Sequence, residues 1–458
     1  MAELRQSIHG QWSSRWAFIM AATGSAVGLG NIWKFPYMAG QNGGGAFVLI
    51  YLLCVVAVGV PIMMAEILAG RRGRQSPINT VRTLAMEAGH SRWWQLIGWG
   101  GIVAGFLIMS FYSVVAGWAC AYLFKAVLGT LATTPREQIP AIFDELLSSP
   151  ATLLFWHTLF TIMTVILVAR GVRSGLEQGV RWLMPLLMLL LVMLVGYAMS
   201  TTGFMQGVAF LFQPDFSQIT TEGVLKAMGH SFFTLSLGMG AIMMYGSYLP
   251  QDTSIAKATI SIAVADTVAA VLAGLAIFPI VFSNGLEASG GPGLVFKTLP
   301  IAFSMMPAGS FFAALFFLLL VFAAWTSAIS IIEPAVAWLV ENHGFKRVRA
   351  AWLVGTATWL MGIGSLLSFN LWSGATLFGK TFFDIVDFIA SNVMLPLGGL
   401  LIAIFVGWIM RRRDVAEELG MASPRAFAMW YAVLRFASPI LVMLLFLYAV
   451  GVIQFDAA

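Results

Sequence analysis

The chain has 458 residues, of which 59% are hydrophobic and 10% charged, with a formal charge of +5 and a mean hydropathy of +0.88. A soluble globular domain carries about 25% charged residues, so this composition excludes an ordinary soluble protein and makes a bilayer the solvent. Cys54 and Cys120 lie in apolar runs, which excludes a disulfide framework and a cysteine metal site; the arginines form short clusters between apolar runs and read as topology signals, not as a nucleic-acid surface.

Eleven apolar segments follow one another, at about 14–38, 44–70, 93–126, 150–169, 176–200, 223–250, 255–283, 308–341, 349–367, 376–410 and 426–453. Each is long enough, at about 20 residues per span, to cross a membrane as a helix. The polar start, Met1 to Gln11, leads into a run that continues past any cleavage site, so it reads as retained. Arg71, Arg72, Arg74, Arg82 and Arg92 follow the second segment, Arg170, Arg173 and Arg181 the fourth, Lys346, Arg347 and Arg349 the eighth, and Arg411 to Arg413 the tenth. Basic connections face the cytoplasm. The alternate loops carry Glu137, Asp144, Glu145, Asp215, Glu222 and Glu287. The N-terminus is then inside and the C-terminus, with Asp456 to Ala458, outside.

Two segments make poor membrane helices. The first contains GSAVGLGN, Gly24 to Asn31, and the sixth TLSLGMG, Thr234 to Gly240. Glycine costs about 1 kcal/mol per helical position relative to alanine, and Ser25, Asn31, Thr234 and Ser236 add polar groups at mid-depth, so both helices are expected to break. Non-helical backbone survives in a bilayer only where it is buried in protein or lines a cavity. Such breaks five spans apart mark corresponding positions of two repeats and a transporter's binding site. Gly24 and Gly28 alone also fit simple close helix packing through GxxxG.

The stretches GSAVGLGNIWKFP (Gly24–Pro36), NGGGAF (Asn42–Phe47) and FFTLSLGMGA (Phe232–Ala241) resemble the neurotransmitter:sodium symporter family. The resemblance implies an all-α integral membrane protein with a LeuT-like fold. About 11 transmembrane helices would form a 5+5 inverted repeat, with helices 1 and 6 unwound: repeat one about 14–200, repeat two about 223–410, and an added helix about 426–453. It also implies two sodium ions as cofactors and no organic cofactor. The first would be held by Ala26, Asn31, Thr234 and Asp266, and the second by Gly24, Val27, Ala323, Thr326 and Ser327. Asp266 departs from the family, which often has Asn there. A carboxylate at that depth needs a cation partner, and it would supply the negative charge that chloride gives some relatives. Its other reading is a structural acid, protonated or paired with another helix.

By the same resemblance the amides of Leu29 and Gly30 and the Tyr112 hydroxyl take a substrate carboxylate, while Ala26, Phe233, Thr234 and Ser236 take the amine. Gly28 stands where monoamine carriers have Asp, which favours an amino acid. Ile108, Tyr112, Phe233, Met239, Ser327 and Ile331, with Ser25, would line an apolar side-chain pocket, although Met239 or Ile108 alone reads better as packing. Lys34 and Asp387 match the outer ion pair, where the family more often has Arg and a lysine without the bidentate fork would make a looser or water-bridged gate, and Trp12, Tyr248 and Glu341 match the inner gate. There His9 stands where an Arg is expected and Arg5 lies upstream. Gly175 and Pro185 match the spacing that unwinds the fifth helix. His230 reads either as tuning the outer gate or as a satisfied polar residue, Glu66 matches a family glutamate, and Glu333 has no role.

The expected function is sodium-coupled symport of neutral, hydrophobic or aromatic amino acids without chloride. Alternatives are a sodium-dependent amino-acid receptor without turnover, or a symporter of another small carboxylate-bearing amine. The partners are a small-molecule substrate and the lipid bilayer, with no nucleic acid and no obligate protein, and the place is a bacterial cytoplasmic membrane. An enzyme is disfavoured because the five histidines form no HExxH-type spacing.

Overall fold

The computed structural model describes residues 5, 7–287, 293–449 and 451–453. Among these, nine unbroken helices are long and apolar enough to cross a membrane. In chain order these and the divided segments are α1 (Arg15–Ala26), α2 (Phe35–Gln41), α3 (Gly45–Gly73), α4 (Arg92–Val127), α5 (Pro150–Ala169), α6 (Val172–Met199), α7 (Thr221–Thr234), α8 (Ala241–Ser247), α9 (Ile255–Ser283), α10 (Gly309–His343), α11 (Arg347–Leu367), α12 (Phe382–Ile409) and α13 (Pro424–Tyr448). The first and sixth apolar segments are the divided ones, as expected. The C-terminal residues Asp456 to Ala458 lie outside the described ones.

The breaks are narrower than the sequence motifs. α1 stays helical through Gly24, Ser25 and Ala26 and turns extended at Val27, then resumes through a wide turn at Gly30–Lys34 into α2. Between α7 and α8, Ser236, Gly238 and Gly240 all take positive φ. At Gly238 this geometry comes with a close approach, since a Cβ there would collide with the Leu395 carbonyl of α12. Only glycine meets both demands.

α1, α4, α8 and α10 form the buried centre. α4 packs most extensively on α10, α3 on α8, and α5 on α11. Apolar side chains on α5, α6 and α13 remain exposed, among them Phe155, Trp182, Leu189 and Ile440, as helices facing lipid require. The tenth segment starts later than its hydropathy suggests. Thr381 and Asp384 form a capping box that fixes the start at Phe382, and residues 376–380 are a turn. Short helices outside the spans, Ile139–Ser148, Leu294–Ser304 and Arg412–Leu419 among them, were not among the expected elements, although Ile139, Ile142, Phe143 and Leu146 recur at helical spacing.

Candidate functional site: the two helix breaks

The breaks meet in a cavity with a free volume of about 20 Å3. Ser25, Ala26, Gly28 and Gly30 line it from the first break, Phe233, Ser236 and Met239 from the second, Ile108 and Tyr112 from α4, and Ser327 and Ile331 from α10. Every lining residue is one to which the sequence pointed; Leu29 and Thr234 adjoin it in the chain. The freed backbone is satisfied from several sides. Leu29 N donates to Tyr112 Oη (3.3 Å), Gly28 N to Asn31 Oδ1 (3.0 Å), and the Ser25 carbonyl accepts from Ser236 Oγ (2.9 Å) and Ser327 Oγ (3.1 Å). Gly28 leaves no room for a larger residue, because a Cβ there would fall on Ser327 Oγ and within 2.9 Å of Tyr112 Oη.

Beside the cavity, fully buried Asp266 gathers a polar cage. Its Oδ1 accepts from Asn31 Nδ2 (2.7 Å) and Thr234 Oγ1 (3.0 Å), and its Oδ2 from Tyr51 Oη (3.3 Å). Tyr51 was missed, since an aromatic in an apolar run carries no sequence signal. Among the described residues no basic side chain comes within 4 Å of Asp266, and none of its neighbours joins it in a cluster of three or more metal-binding His, Cys, Asp or Glu residues. One carboxylate amid neutral oxygens suits a hard monovalent cation better than a transition metal.

The second set also comes together. Ser327 Oγ donates to the Gly24 carbonyl (3.3 Å) and Thr326 Oγ1 to that of Ala323 (3.1 Å). A Cβ on Gly24 would lie 3.3 Å from Thr326 Cβ, so α1 and α10 touch there, and Val27 ends α1 with its backbone extended.

Glu66 braces the second break from α3: its Oε1 accepts from Gly238 N (2.7 Å), and the carboxylate is fully buried. Leaving that amide unpaired costs about 1–3 kcal/mol, so Glu66→Ala should lower the melting temperature in detergent, measured against wild type in the same buffer.

Outside the cavity lies a vestibule of about 260 Å3 lined by Lys34, His230, Phe233 and Asp387. Phe233 borders both spaces and separates them. The expected Lys34–Asp387 ion pair is not a direct contact. Lys34 Nζ lies 4.5 Å from the Phe233 ring centroid and Asp387 Oδ1 accepts from Ser391 Oγ (2.7 Å). A point-charge ammonium lacks the fork that would reach across. Buried His230 stacks on Phe35 at 6.0 Å, and among the described residues neither of its ring nitrogens has a hydrogen-bond partner.

On the opposite side the N-terminal segment is strapped down. Trp12 N donates to the Tyr248 carbonyl (3.0 Å) and Trp12 Nε1 to that of Tyr245 (3.1 Å). His9 Nε2 lies 3.0 Å from Glu341 Oε1, whereas Arg5 pairs with Glu87, so His9 takes the place of the expected arginine. Glu333, unassigned from sequence, bonds Tyr248 Oη (2.6 Å) and Arg347 (2.5 Å). Two further ties were missed because no motif announces them: Glu177 accepts from Ser13 N (3.0 Å) and Ser13 Oγ, and Arg173 Nε donates to the Gln11 carbonyl (3.1 Å). Both belong to the wide turn Val172–Glu177 that holds Gly175. In this conformation the helix is wound, since α6 is helical from Gln178 through Pro185 to Met199. The strap pins its first turn. Glu177→Gln should therefore speed labelling of a Leu176→Cys probe, at a fully buried position of that turn, by a permeant thiol reagent, compared with the probe alone.

The model of the sodium:neurotransmitter symporter family matches residues 9–139 and 143–457. A sodium-dependent transporter of Bacillus subtilis, YhdH, is 41% identical over 97% of this chain and 98% of its own, and one of Haemophilus influenzae is 36% identical over 95% and 97%. The crystal structure of MhsT in complex with L-phenylalanine superposes with a TM-score of 0.90, at 44% identity, covering 96% of this chain and 99% of that one. MhsT has the LeuT fold, and the helices here share it. Breaks, cavity and relatives agree: this chain is an integral membrane, sodium-dependent transporter belonging to the sodium:neurotransmitter symporter family.

Proposed function

We propose that the protein couples inward sodium movement to the uptake of neutral L-amino acids with apolar or aromatic side chains, by alternating access and without chloride. The observation that carries this reading is the cavity at the helix breaks with the Asp266 cage beside it. The half-helices offer complements to both ends of a free amino acid: amides of Leu29 and Gly30 for the carboxylate, and carbonyls of Ala26, Phe233 and Thr234 with Ser236 Oγ for the ammonium. One sodium ion is held by Ala26, Asn31, Thr234 and Asp266, and the other by Gly24, Val27, Ala323, Thr326 and Ser327. Asp266 supplies the fixed negative charge at the first, which makes an added anion unnecessary.

Crowding at Gly28 supports an amino acid over an amine, because an aspartate there has no space and the substrate must bring its own carboxylate. Ile108, Phe233, Met239 and Ile331 form an apolar wall with no charged residue, and the flexible thioether of Met239 adapts to bulky groups. The relative bound to L-phenylalanine fits such a wall. Room for about one water means that substrate entry moves Phe233 and Met239 aside. Residues of about 14–200 and 223–410 act as two repeats, with the N-terminus in the cytoplasm.

Equilibrium binding of labelled L-phenylalanine to purified protein tests the reading. Saturable binding in sodium, equal in chloride and gluconate and lost in potassium, is the expected result. Binding that persists in potassium, or that needs chloride, contradicts it.

A further inference from the structure

Arg435 has no part in the transport site. It lies on α13 one turn deeper than Trp430 and Tyr431, residue types that collect at the membrane–water interface. An ionised side chain at that depth is costly unless it is paired. Among the described residues no carboxylate lies within 4 Å of it, and its Nε is buried without a partner. The nearest acids in sequence are engaged elsewhere, Glu418 by Arg71, Asp414 by Arg72 and Glu417 by Arg413.

The guanidinium is nonetheless held in place. Its carbon sits 3.9 Å from the Trp408 ring centroid and 5.6 Å from that of Phe436. Trp408 Nε1 donates to the Arg435 carbonyl (3.1 Å) and Tyr431 Oη to that of Gly407 (2.8 Å), which lock the seam between α12 and α13. Phe427, Tyr431 and Arg435 recur every four residues and share a face. At the end of that stripe Arg412 lies 5.6 Å from Tyr431 and 5.9 Å from Phe427, again with no carboxylate within 4 Å among the described residues. Helical side chains lean toward the N-terminus of their helix, so Arg435 reaches back toward Arg412 and the level of the headgroups.

We propose that Arg435 and Arg412 hold the phosphate of an anionic glycerophospholipid in the leaflet on the Arg411–Arg425 side, against the α12–α13 seam. Arginine forks match phosphate oxygens. The anionic class is chosen because Arg411, Arg412, Arg425 and Arg435 all stand without a carboxylate within 4 Å among the described residues, and basic sites between membrane helices attract such headgroups. The proposal rests on membrane integration and not on the substrate reading.

Native mass spectrometry of the delipidated full chain, titrated with phosphatidylglycerol, phosphatidylcholine or inorganic phosphate, tests it. Wild type should retain phosphatidylglycerol over phosphatidylcholine, and Arg435→Gln should lower that retention by about fivefold, the effect of roughly one arginine at a membrane surface. Arg435→Lys should fall between. Equal retention of both lipids, or no change in Arg435→Gln, would leave a snorkelling arginine and overturn the proposal. Displacement of the lipid by millimolar inorganic phosphate would overturn the lipid as the source. Should Arg435→Gln fail to fold, brominated phosphatidylglycerol added to wild type and to Trp408→Phe decides: quenching that is lost with Trp408 supports the site, and identical quenching contradicts it.

Discussion

Asp266→Asn should raise the sodium concentration for half-maximal uptake by about 30- to 150-fold, with chloride present or absent. The carboxylate is fully buried and bonded by Asn31, Thr234 and Tyr51, and no basic side chain among the described residues neutralises it. Removing one partner of a buried charge pair costs about 2–5 kcal/mol. Asparagine keeps one oxygen ligand, so the lower part of that range, about 2–3 kcal/mol, applies and gives the stated factor. A second readout separates lost charge from lost fold. A ligand that binds only the folded state stabilises it in proportion to its affinity, so wild type should melt at a higher temperature in sodium than in potassium, and Asp266→Asn should lose most of that difference. A variant that melts like wild type in both salts would remove Asp266 from the sodium site.

Gly28→Ala should weaken L-phenylalanine binding by about 30- to 150-fold while leaving part of the sodium-dependent melting shift in place. The added methyl falls on Ser327 Oγ and close to Tyr112 Oη. Overpacking costs about 1–3 kcal/mol. The upper part applies because both neighbours are tied to backbone, Ser327 to the Gly24 and Ser25 carbonyls and Tyr112 to Leu29 N. Equal loss of substrate binding and sodium stabilisation would instead mean that the methyl deforms the whole break.

The centre of the molecule was legible in the sequence because membrane backbone has few options. Glycines and polar groups at mid-depth in GSAVGLGN and TLSLGMG conflict with a helix, and a bilayer tolerates such a conflict only where the backbone is buried in protein or lines a cavity. Asp266 was legible for a related reason, as an acid inside an apolar run. What could not be read was pairing between distant groups of ordinary type. Tyr51 reaching Asp266 and Ser13 reaching Glu177 depend on how helices pack, and no local spacing encodes that; His9, by contrast, stands where the family's spacing puts an arginine, and it does meet Glu341. The outer pair is the looser one that a lysine in place of arginine leads one to expect. Lys34 and Asp387 share the vestibule as their positions suggested, yet each finds a nearer partner, the Phe233 ring and the Ser391 hydroxyl.

The inner side links these contacts to movement. The strap from His9 to Ser13 is held on α10 through Glu341, on α8 and the turn after it through Tyr245 and Tyr248, and on the first turn of α6 through Glu177 and Arg173. A cavity of about 220 Å3 beside Gly175 reaches Trp325, the residue before Thr326. Release of the strap would free the first turn of α6 and extend that cavity toward the residues proposed to hold the second sodium ion, a route that opens on the strap's side and leaves Phe233 closed on the other.

The most direct measurement is uptake of labelled L-phenylalanine into proteoliposomes, with an inward sodium gradient imposed or collapsed and chloride replaced by gluconate. The account requires accumulation above the external concentration that depends on the sodium gradient and is unchanged in gluconate. Sodium-dependent binding without accumulation would contradict symport and leave a receptor.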